Sequence, residues 1–345
     1  MINVGINGFG RIGRAITRII SQTDGIRVSA INDIDKDVKN LSYLLKYDTI
    51  YGKFDKNINF ISNNKISINN QITNFYSKNE IHKVPWSDNN LNLVIDASGV
   101  EKNVINSKKI LNKKLKKVLI THSPDKNIDK TLILGVNEKD YNSKKHNVVS
   151  TSICDASALA PVLSQIDKSF GIKQGYITTL HPRLSYQNLL DGSLRSVSNP
   201  GHNWKSFSLG RDSISNLIPK KTTAIKAVVK CVKNLNGKIS GISFRVPTSI
   251  VCASDITLRL KSKTSKSKLY EHFRKLSVTK SKIFGFQEEA LVSIDHLGTS
   301  KSVIIDANFI DVLDSDLIKM VIWYDNEWGY SNRVVDIAKL VSKKQ

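Results

Sequence analysis

The stretch Gly8-Phe9-Gly10-Arg11-Ile12-Gly13 narrows the choice of fold more than any other part of this chain. The pattern is G-x-G-x-x-G, which alone is common. Here it directly follows INVGIN (2–7), an apolar run of strand type. It opens RIGRAITRIISQ (11–22), where Ile12, Ala15, Ile16 and Ile19 fall at helical spacing. A second strand-like run, IRVSAIND (26–33), ends in Asp33, 20 residues after Gly13. Strand, glycine turn, helix and acid in this register form the fingerprint of a dinucleotide-binding unit. Gly8 and Gly10 let the backbone turn and approach a pyrophosphate, and Gly13 lets helix and strand pack closely. The helix start offers free N–H groups and a positive dipole end. Asp33 is spaced to accept hydrogen bonds from ribose hydroxyls. Its charge repels a 2′-phosphate, which selects NAD over NADP. A glycine-rich turn in an unrelated α/β domain is the competing explanation, and it leaves the common register of the four features unexplained.

The same alternation continues to about residue 150, through LNLVIDASG (91–99), KKVLITHS (116–123) and KTLILGVN (130–137). Strands alternating with helices predict a parallel sheet with crossovers. From Gly171 the runs lengthen and alternate, as in KQGYITTLHP, GKISGISFRVPT and CASDITLRLKS, which predicts a mixed, largely antiparallel sheet. The expected fold is therefore α/β. It has a Rossmann-type dinucleotide-binding domain at 1–150 and an α+β catalytic domain at 151–330. An amphipathic C-terminal helix, 331–345, packs back on the first domain. A chain of 345 residues is long enough for two such cores.

The net charge is +22, but the lysines are spread along the whole chain. The densest run, KSKTSKSKLYEHFRK (261–275), carries no RNA-binding signature, so nucleic acid is not the expected main partner. A basic field of this kind attracts phosphorylated metabolites. No run approaches the roughly 18 apolar residues of a membrane span, and MINVGINGFG does not read as a secretory signal. Three cysteines, Cys154, Cys231 and Cys252, give neither a disulfide framework nor a metal-ligand spacing. No metal and a reducing, cytoplasmic setting are expected.

Cys154 sits in STSICDASALAP (150–161), between an extended stretch (Asn147–Ser152) and a helix with Leu159, Val162 and Ile166 on its apolar positions. A helix N-terminus lowers a cysteine pKa and suits a nucleophile. A cysteine flanked by Ile153 and Ala156 also reads as a small core residue, the commoner case. His181 closes the alternating run GYITTLHP, and spacing alone does not pair it with Cys154.

Beyond these local signals, the chain resembles the phosphorylating glyceraldehyde-3-phosphate dehydrogenase family nearly end to end. The residues that carry the likeness are NVGINGFGRIGR (3–14), AIND (30–33), YLLKYDTIYGKF (43–54), GVNEKDY (135–141), LAPVL (159–163), TTLH (178–181), NLIP (216–219), FRVPT (244–248) and WYDNEWGYSNRVVD (323–336). The erythrose-4-phosphate dehydrogenase branch shares most of them. The resemblance implies NAD-dependent oxidation of glyceraldehyde 3-phosphate to an acyl phosphate through a cysteine thioacyl intermediate. Cys154 takes the place of the nucleophile and His181 that of the base. Arg11 and Ile12 fall at the pyrophosphate, Asn326 at the nicotinamide carboxamide and Tyr330 beside that ring. Ser98 and Ser123, ending strands at the cofactor edge, are further expected contacts. It also implies inorganic phosphate as co-substrate, a homotetramer and a cytoplasmic, glycolytic role. The alternatives are a dehydrogenase of another phosphoaldehyde such as erythrose 4-phosphate, with altered phosphate use, and a non-catalytic RNA-binding paralogue. Joint retention of Cys154, His181 and Arg245 argues against the last.

The chain departs from the family where phosphate should bind. The family usually reads S-N-A-S-C-T-T-N-C-L-A-P around the nucleophile. Here the serine before it is Ile153, the threonine after it is Asp155, and the second cysteine is Ala158. A carboxylate at 155 repels a phosphate dianion by about 1–4 kcal/mol and opposes thiolate formation. After His181 the chain reads PRLSYQ, with Leu184 and Tyr186 at usually polar positions and Arg183 as an added cation. Lys220, Lys221, Thr222 and Thr223 follow NLIP. The expected phosphate-facing set is Arg245, Arg183, Thr222, Thr223 and Asp155. The loop 182–218 is longer than usual for the family, which bears on subunit contacts.

Overall fold

A computed structural model describes residues 1–343. The first strand, Ile2–Asn7, and the helix Arg11–Ile20 meet at the glycine turn, and the next strand is Ile26–Asn32. Among the described residues, nine strands make one sheet. Ile2–Asn7 lies near its centre, parallel to Ile26–Asn32 on one side and to Leu93–Asp96 on the other. The strands Lys117–Ile120, Val148–Ser150 and Lys130–Thr131 continue in parallel beyond Leu93–Asp96. Gln71–Tyr76 adds in parallel to Ile26–Asn32, and Lys65–Ile68 and Ile58–Ser62 then extend that edge antiparallel. The crossovers run opposite ways on the two sides of Ile2–Asn7. A crevice opens at such a switch point, beyond the carboxyl ends of the strands.

Seven strands make the second sheet, in the order Ile218–Lys221, Ile239–Val246, Ile172–Pro182, Cys252–Leu260, Leu317–Tyr324, Val303–Leu313 and Phe284–Gln287. Four of its neighbouring pairs are antiparallel and two are parallel, a mixed and largely antiparallel sheet as expected. The helix Cys154–Phe170 joins the two sheets. Leu159, Val162 and Ile166 are buried with Ile177, Ile256 and Ile322 beneath the second sheet.

The last helix spans Trp328–Lys343, starting three residues before the expected Ser331. Lys344 and Gln345 of the expected helix lie outside the described residues. Its Tyr330, Val334, Ile337 and Val341 pack with Val4, Ile16 and Ile20 of the first sheet and helix. The apolar run 130–137 is a strand only at Lys130–Thr131. Gly135 at φ +82° turns the chain, and Asn137 ties the turn by accepting from Ile133 N–H and donating to Thr131 C=O. Leu132 and Ile133 are buried by that turn instead. No helix among the described residues is long and apolar enough to cross a membrane.

Candidate active site

The crevice at the switch point is a cavity of about 640 Å³, within the usual size range of small-molecule sites. Its walls include Gly8, Gly10, Arg11, Ile12, Asp33, Ser98, Cys154, His181, Arg183, Asn326 and Tyr330, so most of the expected residues converge there. The glycines have the backbone geometry of a tight strand-to-helix turn. Gly8 has φ +92°, and a Cβ on it would lie 2.6 Å from Ser98 N. A Cβ on Gly13 would lie 2.1 Å from the Gly8 carbonyl oxygen, so only glycine permits this helix–strand contact. Gly10 has open space where its Cβ would be, which leaves its backbone free to approach a ligand. Asp33 faces the cavity with its carboxylate oriented by Phe9 N–H (2.5 Å) and Asp35 N–H (2.9 Å). This cradle fits an adenosine dinucleotide.

Several assignments need correction. The Arg11 side chain does not reach for phosphate: its Nε donates to Glu327 at 2.6 Å and its Nη1 to Asp48 at 3.0 Å. Only its backbone is available to an anion. Ser123 is not on the cavity wall, and its hydroxyl accepts from Lys230 Nζ at 3.1 Å. Thr121, from the end of the same strand run, lines the cavity instead. Thr222 and Thr223 also lie off the cavity wall, as do Asp155 and Arg245, which stand behind Cys154 and His181. Thr222 Oγ1 accepts from Ala224 N–H and helps start the helix Ala224–Cys231. Ser98 is on the wall, but its hydroxyl is engaged with Asp96 at 2.6 Å.

Cys154 opens the helix Cys154–Phe170, two residues after Ser152, a non-glycine residue at φ +62°. His181 is the penultimate residue of the strand Ile172–Pro182. Packing of that strand against the helix brings Cys154 Sγ to 3.8 Å from His181 Nε2. His181 Nδ1 lies 2.8 Å from the Pro182 carbonyl oxygen, which can only accept. Nδ1 therefore carries the proton, and Nε2 presents its lone pair to the sulfur. Burial, reinforced by Arg245, pulls the imidazole down to about 4. Burial, reinforced by Asp155, pushes the thiol well above its ordinary value. The helix N-terminus was expected to favour the thiolate, and these two effects outweigh it. The resting pair is a neutral thiol and a neutral imidazole, which is a base ready to take a proton.

Asp155 is buried, and its Oδ1 accepts from Tyr324 OH at 2.8 Å. Arg245 pairs in register with His181 on the adjacent strand, and both are buried. Its Nη2 reaches Tyr186 OH at 3.4 Å, while its Nε is buried with no hydrogen-bond partner. Lys220, on the neighbouring strand Ile218–Lys221, lies near Arg245, Asp155 and Cys154. The sequence marked Lys220 only as part of a basic segment, and strand pairing singles it out. Arg183 lines the cavity and donates to Ser249 Oγ at 3.0 Å.

Two further expected residues on the cavity wall, Tyr330 and Asn326, are fixed by hydrogen bonds. Tyr330 is buried, with its hydroxyl 2.9 Å from Thr151 Oγ1 and donating to the Ser152 carbonyl at 3.0 Å. Asn326 Oδ1 accepts from Val251 N–H at 3.1 Å. Val251 stands at φ +67°, costly for a β-branched residue and without any sequence signal. Its strained amide fixes Asn326 so that the side-chain NH₂ is left to donate. The long loop also contributes. Tyr186, Ser196, Val197 and Pro200 line the cavity, Tyr186 stacks on Trp204, and Ser198 C=O accepts from Glu101 N–H.

Comparison with known proteins agrees with this architecture. The family model for the glyceraldehyde 3-phosphate dehydrogenase NAD-binding domain matches residues 2–104, and that for its C-terminal domain matches residues 153–326. A chloroplastic glyceraldehyde-3-phosphate dehydrogenase of Arabidopsis thaliana is 39% identical over 97% of this chain and 77% of its own length. Glyceraldehyde-3-phosphate dehydrogenase 2 of Nostoc sp. is 37% identical over 100% of this chain and 99% of its own. Glyceraldehyde-3-phosphate dehydrogenase 1 of Bacillus cereus is 35% identical over the same shares. With a dinucleotide cradle facing a cysteine–histidine pair, and relatives of this kind along its whole length, the chain belongs to the glyceraldehyde-3-phosphate dehydrogenase family, NAD-dependent oxidoreductases acting on an aldehyde group.

Proposed function

We propose that this protein oxidises glyceraldehyde 3-phosphate with NAD to an acyl phosphate, through a thioacyl intermediate on Cys154. The observation that carries this is the Cys154–His181 contact of 3.8 Å at the wall of the dinucleotide cavity. His181 Nε2 takes the thiol proton as sulfur attacks the aldehyde carbon, gives it to the former carbonyl oxygen to complete the hemithioacetal, and then takes the hydroxyl proton as the hemithioacetal is oxidised. NAD, when bound, accepts the hydride. Gly8, Gly10 and the backbone at Arg11 and Ile12 hold the pyrophosphate, with Gly13 packing the helix onto the strand behind them; Asp33 holds the ribose, and Asn326 and Tyr330 the nicotinamide. Arg245, with its unpartnered buried Nε, holds the substrate phosphate, aided by Lys220 and Arg183. Phosphate resolves the thioester in spite of Asp155. Residues 1–150 with the last helix act as the NAD domain, and 151–330 as the catalytic domain.

We place the enzyme in the cytoplasm, as a homotetramer. An open row of apolar side chains on the second sheet, Tyr176, Leu180 and Ile242, supports self-association. The test is NADH formation from glyceraldehyde 3-phosphate with and without phosphate. Turnover should require phosphate and vanish in Cys154→Ser, while NAD still binds. Activity surviving in Cys154→Ser sinks the nucleophile assignment, and turnover indifferent to phosphate sinks the acyl-phosphate product.

A further inference from the structure

Three different ligand types meet at Cys154. Its Sγ is 3.8 Å from His181 Nε2 and 3.7 Å from Asp155 Oδ1, and the three donor atoms lie within 4.8 Å of one another. A zinc ion takes sulfur at about 2.3 Å and imidazole nitrogen or carboxylate oxygen at about 2.0–2.2 Å. Tetrahedral angles then hold sulfur about 3.6 Å from either of the other donors. The observed separations from sulfur need to close by only tenths of an ångström, and the nitrogen–oxygen separation, within 4.8 Å here, closes to about 3.4 Å by side-chain rotation.

The surroundings are those of a ligand set. His181 Nδ1–H is fixed on the Pro182 carbonyl, leaving Nε2 free to coordinate. Asp155 is held by the Tyr324 hydroxyl. Such outer partners orient metal ligands and set their basicity. Thiolate and carboxylate together carry two negative charges, which a dication neutralises. Cys154 binds the ion as thiolate, and its proton leaves to solvent. Arg245 and Lys220 face the same cluster and oppose the ion, which sets a limit on affinity.

We propose that Cys154, Asp155 and His181 form a binding site for zinc, with three protein ligands and a fourth position open to the cavity. The ion occupies the sulfur lone pair that would attack the aldehyde. It therefore blocks aldehyde capture reversibly, in competition with aldehyde and not with NAD. The threonine usual in the family at position 155 would supply only a neutral hydroxyl, so the third ligand depends on the carboxylate of Asp155.

Cobalt(II), a coloured substitute for zinc, provides the test in the intact enzyme without turnover. We expect one cobalt per chain, a thiolate-to-cobalt charge-transfer band in the near ultraviolet, and displacement by zinc. Cys154→Ser should abolish the band, and Cys231→Ser should leave it unchanged. Asp155→Asn and Asp155→Thr should each weaken binding at least about tenfold, the low end of what losing even an indirect partner costs. That loss should occur although removing the carboxylate makes the thiolate easier to form. A missing band at saturating cobalt, a band persisting in Cys154→Ser, or undiminished affinity in both Asp155 variants overturns the proposal. The band is independent of the dehydrogenase assay, so failure of either reading leaves the other standing.

Discussion

Replacing Asp155 by asparagine keeps the shape of the side chain and removes a negative charge 3.7 Å from the nucleophilic sulfur. At that separation two unit charges interact by about 1 kcal/mol in bulk water and about 4 kcal/mol at an effective dielectric near 20. Cys154 is partly open to the cavity, so its effective dielectric falls between those values. At about 1.4 kcal/mol per pH unit, the thiol midpoint should drop by about one to three pH units. The sign follows from the charge: Asp155 disfavours the thiolate, so its loss favours it, and thiolate persists to lower pH. The residual elevation should be that due to burial, the larger cause of the shift. The assay is the rate of alkylation of Cys154 by iodoacetamide as a function of pH, with mass spectrometry locating the label. Cys231 and Cys252, both held as thiols by burial, should label slowly at neutral pH. An unmoved midpoint, or one that rises, refutes the argument: the carboxylate would then be screened from the sulfur, and burial alone would govern the thiol.

The cofactor cradle gives two more predictions. Gly13→Ala places a Cβ 2.1 Å from the Gly8 carbonyl oxygen and forces the helix off the strand. It should cost about 1–3 kcal/mol of stability and weaken NAD binding, and an unchanged melting temperature with unchanged affinity would contradict it. Asp33→Asn keeps an acceptor for Phe9 N–H but discards the charge that repels a 2′-phosphate. The ratio of kcat/KM for NADP over NAD should rise by about tenfold, the scale of a charge pair a few ångströms apart near water. A constant ratio would mean that Asp33 does not discriminate.

The parts legible in the sequence were those encoded over a short span of chain. Gly8, Gly10 and Gly13 had to sit at a strand-to-helix turn because their neighbours on each side carry the periods of a strand and a helix, and Asp33 followed from the length of one βαβ step. The alternating runs after Gly171 likewise announced the second sheet. Family motifs then pointed to Cys154 and His181, which local pattern alone did not pair. Three-dimensional packing decided the rest. Ser123, Thr222 and Thr223 stand at element ends, and sequence position does not tell on which side of a sheet an end emerges. Lys220 joins the site through strand pairing with the Arg245 strand, and Tyr324 meets Asp155 across 169 residues. Cysteine spacing gave no metal pattern, because the ligands that meet at Cys154 are of three kinds and come from two elements. Protonation was the furthest from view. The helix N-terminus argued for a thiolate, but desolvation depends on everything packed around the sulfur, and only the folded chain supplies that environment.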